Sequence, residues 1–361
     1  MRRAEGSFIR AHLPNPGRMR ELLLPGSAVV LEKHPPGSGR RTRYTAVAVE
    51  KKRTPVLLHT SRTNTVACRL LQMGLVPGLE GYRVEKREVT VGGSGRLLLE
   101  VKSCTLFGRS IAMFPDAVTE RGRRHIVELA SLSGKEMKTG VLFVIHWPRV
   151  RYFLPEYHTD PLFARALQEA RRKLLVKAVA VGWRKDITLS RRVRDVPIPW
   201  RVLEREGMDG GSYVVVLNLR RKRRIRVRSL GEVLFERGYY LYVGSAARRL
   251  TARIDRHRRM RKRFHWHIDW LRDQAEFHGA FPVRTRDRLE CRMAVALGKI
   301  AGWSVPGFGS SDCPCGTHLF AMDSDPLKNT DFIRFLMYFR IDRLEEDRPC
   351  ADLLDADETG R

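Results

Sequence analysis

The stretch GYYLYVGSAARRLTARIDRH, Gly238–His257, decides how the second half of this chain folds. Its aromatic and β-branched beginning reads as a strand that ends at Tyr242, Val243 and Gly244. A basic helix follows, with Leu250 and Arg253 three apart at its opening and His257 one further turn along the same face. Upstream, Gly211, Ser212 and Tyr213 open another strand, GSYVVVLNL, and downstream Glu290 falls in the helix-compatible run RLECRMAVAL. These residue types suit phosphodiester hydrolysis. A tyrosine, Tyr213 or Tyr242, can activate the nucleophile or act as base, Arg253 can neutralise charge growing on phosphate, and Glu290 can bind one divalent cation. Tyr239 and Tyr240 read as packing residues.

Working outward, 361 residues exceed one hydrophobic core, so two or three domains are expected. Hydrophobic residues at 43% and charged residues at 30% describe a folded chain rather than a disordered polar one. The formal charge of +28, from 68 Lys and Arg against 40 Asp and Glu, attracts polyanions and makes nucleic acid the leading partner. Membrane insertion is not expected, because no apolar run approaches the ~20 residues that cross a bilayer. The start MRRAEGSFIR lacks the apolar core of a signal peptide, so a cytoplasmic chain is expected.

The charge is concentrated. RRKRRIRVR, Arg220–Arg228, carries seven basic residues in nine, and Arg248–Arg263 carries nine against the single acid Asp255. Solvated faces are normally mixed in sign. Phosphate contact without base reading is therefore expected of Arg220, Arg221, Lys222, Arg223, Arg224, Arg248, Arg249, Arg256, Arg258 and Arg259. The six cysteines, Cys68, Cys104, Cys291, Cys313, Cys315 and Cys350, are too scattered for a disulfide framework and read as reduced thiols. Within GFGSSDCPCGTHLF, Cys313, Cys315 and His318 could join Cys291 as four zinc ligands, or the thiols could be purely structural. In HWHID, His265 and His267 would face one way if the segment is extended.

The first half opens with short strands and tight turns to about Asn64, followed by the helix-like VACRLLQMGLV. Strands then alternate with helices near RGRRHIVELASL and in DPLFARALQEARRKLL, which indicates an α/β domain. Within it lies GGSGRLLLEVKSCTLF, Gly92–Phe107, where Glu100 and Lys102 point the same way off a strand. They read either as a metal ligand with a water-orienting lysine or as a polar strand end. The boundaries expected are 1–64, 65–200, a linker at 201–210, a second unit at 211–322, and a tail at 323–361. That tail carries an amphipathic piece, DFIRFLMYFRI, and from Asp342 onward eight acidic residues against three basic.

AHLPNPGRMRELLLPG, EVKSCTL, FPDAVTERGRRHIVEL and DPLFARALQEA, in that order over about Phe8–Pro199, resemble the sugar fermentation stimulation protein family. The resemblance implies an OB-like barrel at 1–64 and a nuclease-like α/β domain of the PD-(D/E)xK type at 65–200. It also implies DNA as partner in preference to RNA, with Arg18 and Arg121 among the nucleic-acid contacts. Glu100 would hold magnesium and Lys102 would orient the attacking water. The family's Asp on the preceding strand is missing, since no Asp lies between Leu79 and Glu100, and Glu88 and Asp116 are the alternative oxygen donors. His125 reads as a polar contact. The order Gly-x-Tyr, Tyr-x-Gly, Arg, His, Glu in 211–322 resembles the GIY-YIG nuclease superfamily, which implies a catalytic set of Tyr213, Tyr242, Arg253, His257 and Glu290 with magnesium on Glu290. The whole reads as an α/β and α+β multidomain protein and a candidate magnesium-dependent endonuclease. The alternatives are a non-catalytic DNA-binding or regulatory protein and an RNA-processing factor.

Overall fold

Val29–Lys33 (β1), Tyr44–Lys51 (β2) and Thr54–Leu57 (β3) are the strands of the turn-rich opening segment. The computed structural model describes residue 1 and residues 6–84, 90–92, 96–134 and 137–347. Here β2 is the centre of a four-stranded sheet, pairing antiparallel with β1 and β3 and parallel with the short segment Ala11–His12. The barrel expected for this segment is not closed among the described residues, because β2 gathers the other strands and they do not form a ring.

The chain divides into two units, the second formed by Tyr157–Thr159 with Arg201–Asp347. In the first, Thr63–Gln72 (α1) precedes Arg96–Cys104 (β4), Glu120–Leu132 (α2) and Met137–Ile145 (β5). Pro161–Ala170 (α3), Leu175–Trp183 (β6) and Leu189–Asp195 (β7) complete it. β4, β5 and β6 run parallel at the centre of a six-stranded sheet, and β7 closes one edge antiparallel. Leu97 and Leu99 of β4 pack with Val66, Ala67 and Leu70 of α1, so the alternate residues Glu100 and Lys102 take the opposite face. Asp160 starts α3 by accepting from Phe163 N at 3.0 Å, with Pro161 at the first helical position. Its other oxygen accepts from Thr119 N at 2.8 Å, and Thr119 in turn caps α2 by accepting from Gly122 N at 3.0 Å. One carboxylate thereby sets both helix starts.

In the second unit, Gly211–Leu219 (β8) leads to a hairpin of Arg223–Val227 (β9) and Gly231–Phe235 (β10) and to Gly238–Ala246 (β11). Leu250–Arg258 (α4), His267–Gln274 (α5), Glu276–Arg284 (β12), Glu290–Gly298 (α6), Leu319–Met322 (β13) and Thr330–Met337 (α7) follow. The sheet is antiparallel in the order β12, β8, β11, β13, with Trp303–Ser304 at its edge. Tyr213, Val215 and Leu217 of β8 and Tyr240 and Tyr242 of β11 share one core with Leu250 and Ile254 of α4 and Ile268 and Leu271 of α5. Asp209 starts α4 by accepting from Thr251 N at 3.0 Å and Thr251 Oγ1 at 2.7 Å.

Residues 200–206, at the expected linker, form a helix whose Glu206 accepts from the fully buried Arg343 at 2.8 Å. α7 packs Phe332 against Phe281 at 5.7 Å, so residues 323–347 are part of this second unit. No helix among the described residues is long and apolar enough to cross a membrane.

The register places Tyr213 opposite Gly244, and a Cβ at Gly244 would strike the Tyr213 ring and hydroxyl. Gly244→Ala should therefore destabilise the chain by about 1–3 kcal/mol, as overpacking does, read as a lower urea midpoint with an unchanged m-value. A neutral effect would mean that this approach is looser than the register requires.

Candidate active site

β8, β11, α4 and α6 bring the five expected residues of the second unit into one connected group. Tyr213 Oη and His257 Nε2 are 2.8 Å apart, and the Tyr213 and Tyr242 ring centroids are 6.4 Å apart. Arg253 donates to Ser245 O at 2.8 Å and lies 4.7 Å over the Trp266 ring, which itself packs on His257 at 5.4 Å. Ser245 Oγ donates to Glu290 Oε2 in a very short hydrogen bond. Ser245 is thus the joint of the group, with its carbonyl on Arg253 and its hydroxyl on Glu290.

The members differ in access. Glu290, its side chain 27% exposed, lines a cleft of about 680 Å³ with Ser212, Ser245, Arg248, Arg286, Arg288 and Asp312. Tyr213 and Tyr242 are only 2% and 7% exposed and lie behind that cleft's lining, as does His257 at 1%. Burial raises both tyrosines, most strongly by withdrawing water, with the Glu290 charge adding to the rise and Arg253 opposing it. The hydroxyls therefore stay protonated at neutral pH. Burial also pushes His257 down to about 3, helped by the positive charge of Lys262. Its neutral ring can accept the Tyr213 proton at Nε2. For Glu290, burial works against the charge, but contacts from His318 and Ser245 outweigh it and hold the carboxyl below its usual range.

Trp266 is held by a buried anion. Asp269 is fully enclosed and accepts from Arg256 at 3.0 and 3.1 Å, from His265 N at 2.9 Å and from Trp266 N at 3.1 Å, with Lys262 2.9 Å away. Arg256, expected on a phosphate-binding face, is therefore committed to Asp269 and to the Trp266 ring at 4.3 Å. His267 opens α5 and sits within hydrogen-bonding distance of Ser229 Oγ and Gly309 N, so HWHID runs into a helix.

The arginine runs are also less uniform than they read. Because β8 pairs with β12, Arg220 reaches Glu276 at 2.8 Å, and around the β9–β10 hairpin Lys222 reaches Glu236 at 2.5 Å and Arg224 comes within 4.0 Å of Glu232. The run is mixed in sign once folded, a correction to its single-signed appearance. Arg221, Arg223, Arg248, Arg249, Arg258 and Arg259 are exposed. Arg286 and Arg288, which lie outside both runs, are exposed at the cleft.

In the first unit, Glu100 Oε1 accepts from Lys102 Nζ at 2.7 Å and lies 3.0 Å from His125 Nδ1. Burial raises the Glu100 carboxyl, and these two neighbours more than reverse it. Asp116, the other alternative donor, accepts from Met19 N at 2.7 Å and lines a pocket with Gly17 and Met19. Glu88 lies outside the described residues. Among the described residues, no third His, Cys, Asp or Glu ligand gathers at Glu100. Arg18 and Arg121 are exposed, and Arg121 Nε approaches His125 Nε2 at 3.4 Å.

Comparison with known proteins covers the whole of this organisation. Family models described as the SfsA N-terminal OB domain, the sugar fermentation stimulation protein RE domain and a domain of unknown function, DUF123, match residues 2–58, 61–186 and 212–338. A sugar fermentation stimulation protein homolog of Methanothermobacter thermautotrophicus is 38% identical over 176 residues, 46% of this chain and 73% of that protein. The homolog of Clostridium tetani is 34% identical over 181 residues, 47% of this chain and 78% of that protein. Among solved structures, that of Pyrococcus furiosus SfsA in complex with Ca2+ is 25% identical with a TM-score of 0.49, covering 55% of this chain and 93% of that one. The chain belongs to the sugar fermentation stimulation protein family, and its second half carries the DUF123 domain.

The neutral, buried His257 gives a pH test. Its folded pKa lies below the ordinary 6.5, so the unfolded chain binds the proton first and stability falls as pH drops from about 6.5 towards 3. His257→Gln should remove up to about 1.4 kcal/mol per pH unit from that slope, measured by urea unfolding at successive pH values. An unchanged slope would contradict a buried neutral imidazole.

Proposed function

We propose that the chain is a DNA-binding phosphodiesterase whose reaction centre is the GIY-YIG-like second unit. The observation that carries this reading is the connection of Tyr213, Tyr242, Arg253 and His257 through Ser245 to Glu290 at the cleft. Arg248, Arg286 and Arg288 at the same cleft supply the positive charge that a phosphate backbone requires.

Glu290 suits magnesium, which takes one or two carboxylates and keeps several waters, because this carboxylate lines an open cleft. Bound there, magnesium would polarise a phosphodiester oxygen and acidify a bound water. Ser245 orients the carboxylate from below. Arg253 lies beside the tyrosines and opposes the negative charge that builds on phosphate. Tyr213 stays protonated and donates to the neutral His257 Nε2, and Tyr242 packs beside both rings and holds that pair in place.

The first unit, with its OB-like sheet and PD-(D/E)xK-like parallel core, acts in this reading as a DNA grip. Glu100 is already engaged by Lys102 and His125, and among the described residues it belongs to no group of three or more metal-type ligands, which favours a binding role there over a second catalytic centre. Arg18 and Arg121 contribute phosphate contacts, and DNA is preferred to RNA on family membership.

Magnesium-dependent cleavage by the full chain on duplex, branched and single-stranded DNA tests the assignment. Glu290→Gln should abolish cleavage and leave binding intact, since it removes a cation ligand and no phosphate-binding charge. Arg253→Ala should damage both. Glu100→Gln should change neither, and a cleavage defect in that variant, with Glu290→Gln still active, would move the reaction to the first unit.

A second measurement concerns the grip. Replacing Arg286 and Arg288 with alanine should flatten the dependence of log affinity on log salt by about 1.8 for duplex DNA, roughly 0.9 for each phosphate that is no longer neutralised. A slope that stays as steep would remove the cleft from the DNA path.

A further inference from the structure

Beside the Glu290 cleft, Cys291, Cys313, Cys315 and His318 place their ligand atoms all within 4.8 Å of one another. Three thiols and an imidazole are the donors of a closed Cys3His site. A tetrahedral zinc ion with Zn–S near 2.3 Å and Zn–N near 2.0–2.1 Å has S···N edges of about 3.5 Å and S···S edges of about 3.8 Å. Cys313 Sγ lies 3.4 Å from His318 Nε2, already at such an edge.

The scaffold around the four is built from both sides. His318 is 1% exposed, its N–H donates to Phe308 O at 2.8 Å, and its carbonyl accepts from Val243 N of β11 at 2.9 Å. Cys291 is the second residue of α6, immediately after Glu290. Gly307 N donates to Gly316 O at 2.8 Å and closes the base of the loop that carries Cys313 and Cys315. Gly309 of that loop has a φ of +72°, and a Cβ there would come within 2.7 Å of the Tyr242 ring. The loop therefore packs directly on the Tyr242 ring at Gly309.

His318 has two faces. Nε2 points to the thiols, while Nδ1 lies 3.2 Å from Glu290 Oε1. A histidine that gives one nitrogen to a metal and the other to a carboxylate fixes its own ring and orients the carboxylate.

We infer that Cys291, Cys313, Cys315 and His318 bind one zinc ion, and that this ion positions Glu290 through His318. Soft thiolates select zinc over magnesium, so the two cations would not compete for one site. The site is structural, because all four coordination positions come from the protein. His318 is a positioning residue, and only this second part rests on Glu290 being the magnesium ligand.

The test uses the full chain, purified, dialysed and assayed for zinc, with cobalt reconstitution as a second reading. About one zinc per chain is expected, with cobalt giving the intense d–d bands of a tetrahedral thiolate site. Cys313→Ser should lose both signals. A chain that stays zinc-free after reconstitution, or that joins two of these thiols in a disulfide, overturns the site. His318→Cys should retain zinc as a four-thiolate site yet raise, about tenfold or more, the manganese concentration that half-fills the Glu290 position, read by the EPR signal of the free ion. Retained zinc with an unmoved manganese midpoint, or no manganese binding by the parent chain, overturns the positioning role. Failure of DNA cleavage alone would remove the proposed reaction and leave the zinc and cobalt measurements decisive for this site.

Discussion

The carboxylate of Glu290 is held from two directions, by the Ser245 hydroxyl at the end of the central strand β11 and by His318 from the loop that leads into β13. Most of the second unit's organisation follows from that constraint. Ser245 lies one residue before the end of β11, where β8 still pairs with it through Ser212 opposite Ser245 and Gly211 opposite Ala246. The same serine's carbonyl anchors Arg253. A charge that is more than half covered stays ionised because these contacts outweigh its desolvation.

Glu100 and Glu290 show how similar carboxylates acquire different roles. Glu100 has a lysine and a histidine on one oxygen and belongs to no group of three or more metal-type ligands among the described residues. Glu290 has a hydroxyl, an imidazole and a distant guanidinium, and it faces a cleft that can admit water and phosphate. In the proposed reaction the cation goes to Glu290 because that carboxylate shares its cleft with Arg248, Arg286 and Arg288.

Much of the fold was legible because its signals are local. The β-branched run of β8, the aromatic strand β11 and the Asp-Pro start of α3 each state their structure within ten residues. The set of Tyr213, Tyr242, Arg253, His257 and Glu290 was legible as an order of residue types, and the four zinc-type ligands as a spacing. What was not legible depends on pairing at a distance. The glutamates opposite Arg220, Lys222 and Arg224 come from the start of β12, from the turn after β10 and from β10, and Asp269 claims Arg256 from the next helix. Burial of the two tyrosines, which decides their protonation, exists only once α4 and α5 cover the sheet. Arg286 and Arg288 belong to no basic run and gain their meaning from the cleft. Ser245 stands inside the stretch YVGSA, yet its two bonds need both α4 and α6 in place.

Locating the divalent cation tests the central claim most directly. Crystals of the full chain grown with a DNA oligonucleotide and manganese, measured at the manganese edge, would place the ion by its anomalous signal. The account predicts a manganese peak at the Glu290 carboxylate, lost in Glu290→Gln, and none at Glu100. A peak at Glu100, or DNA bound away from the Arg248, Arg286 and Arg288 cleft with no ion at Glu290, would contradict it.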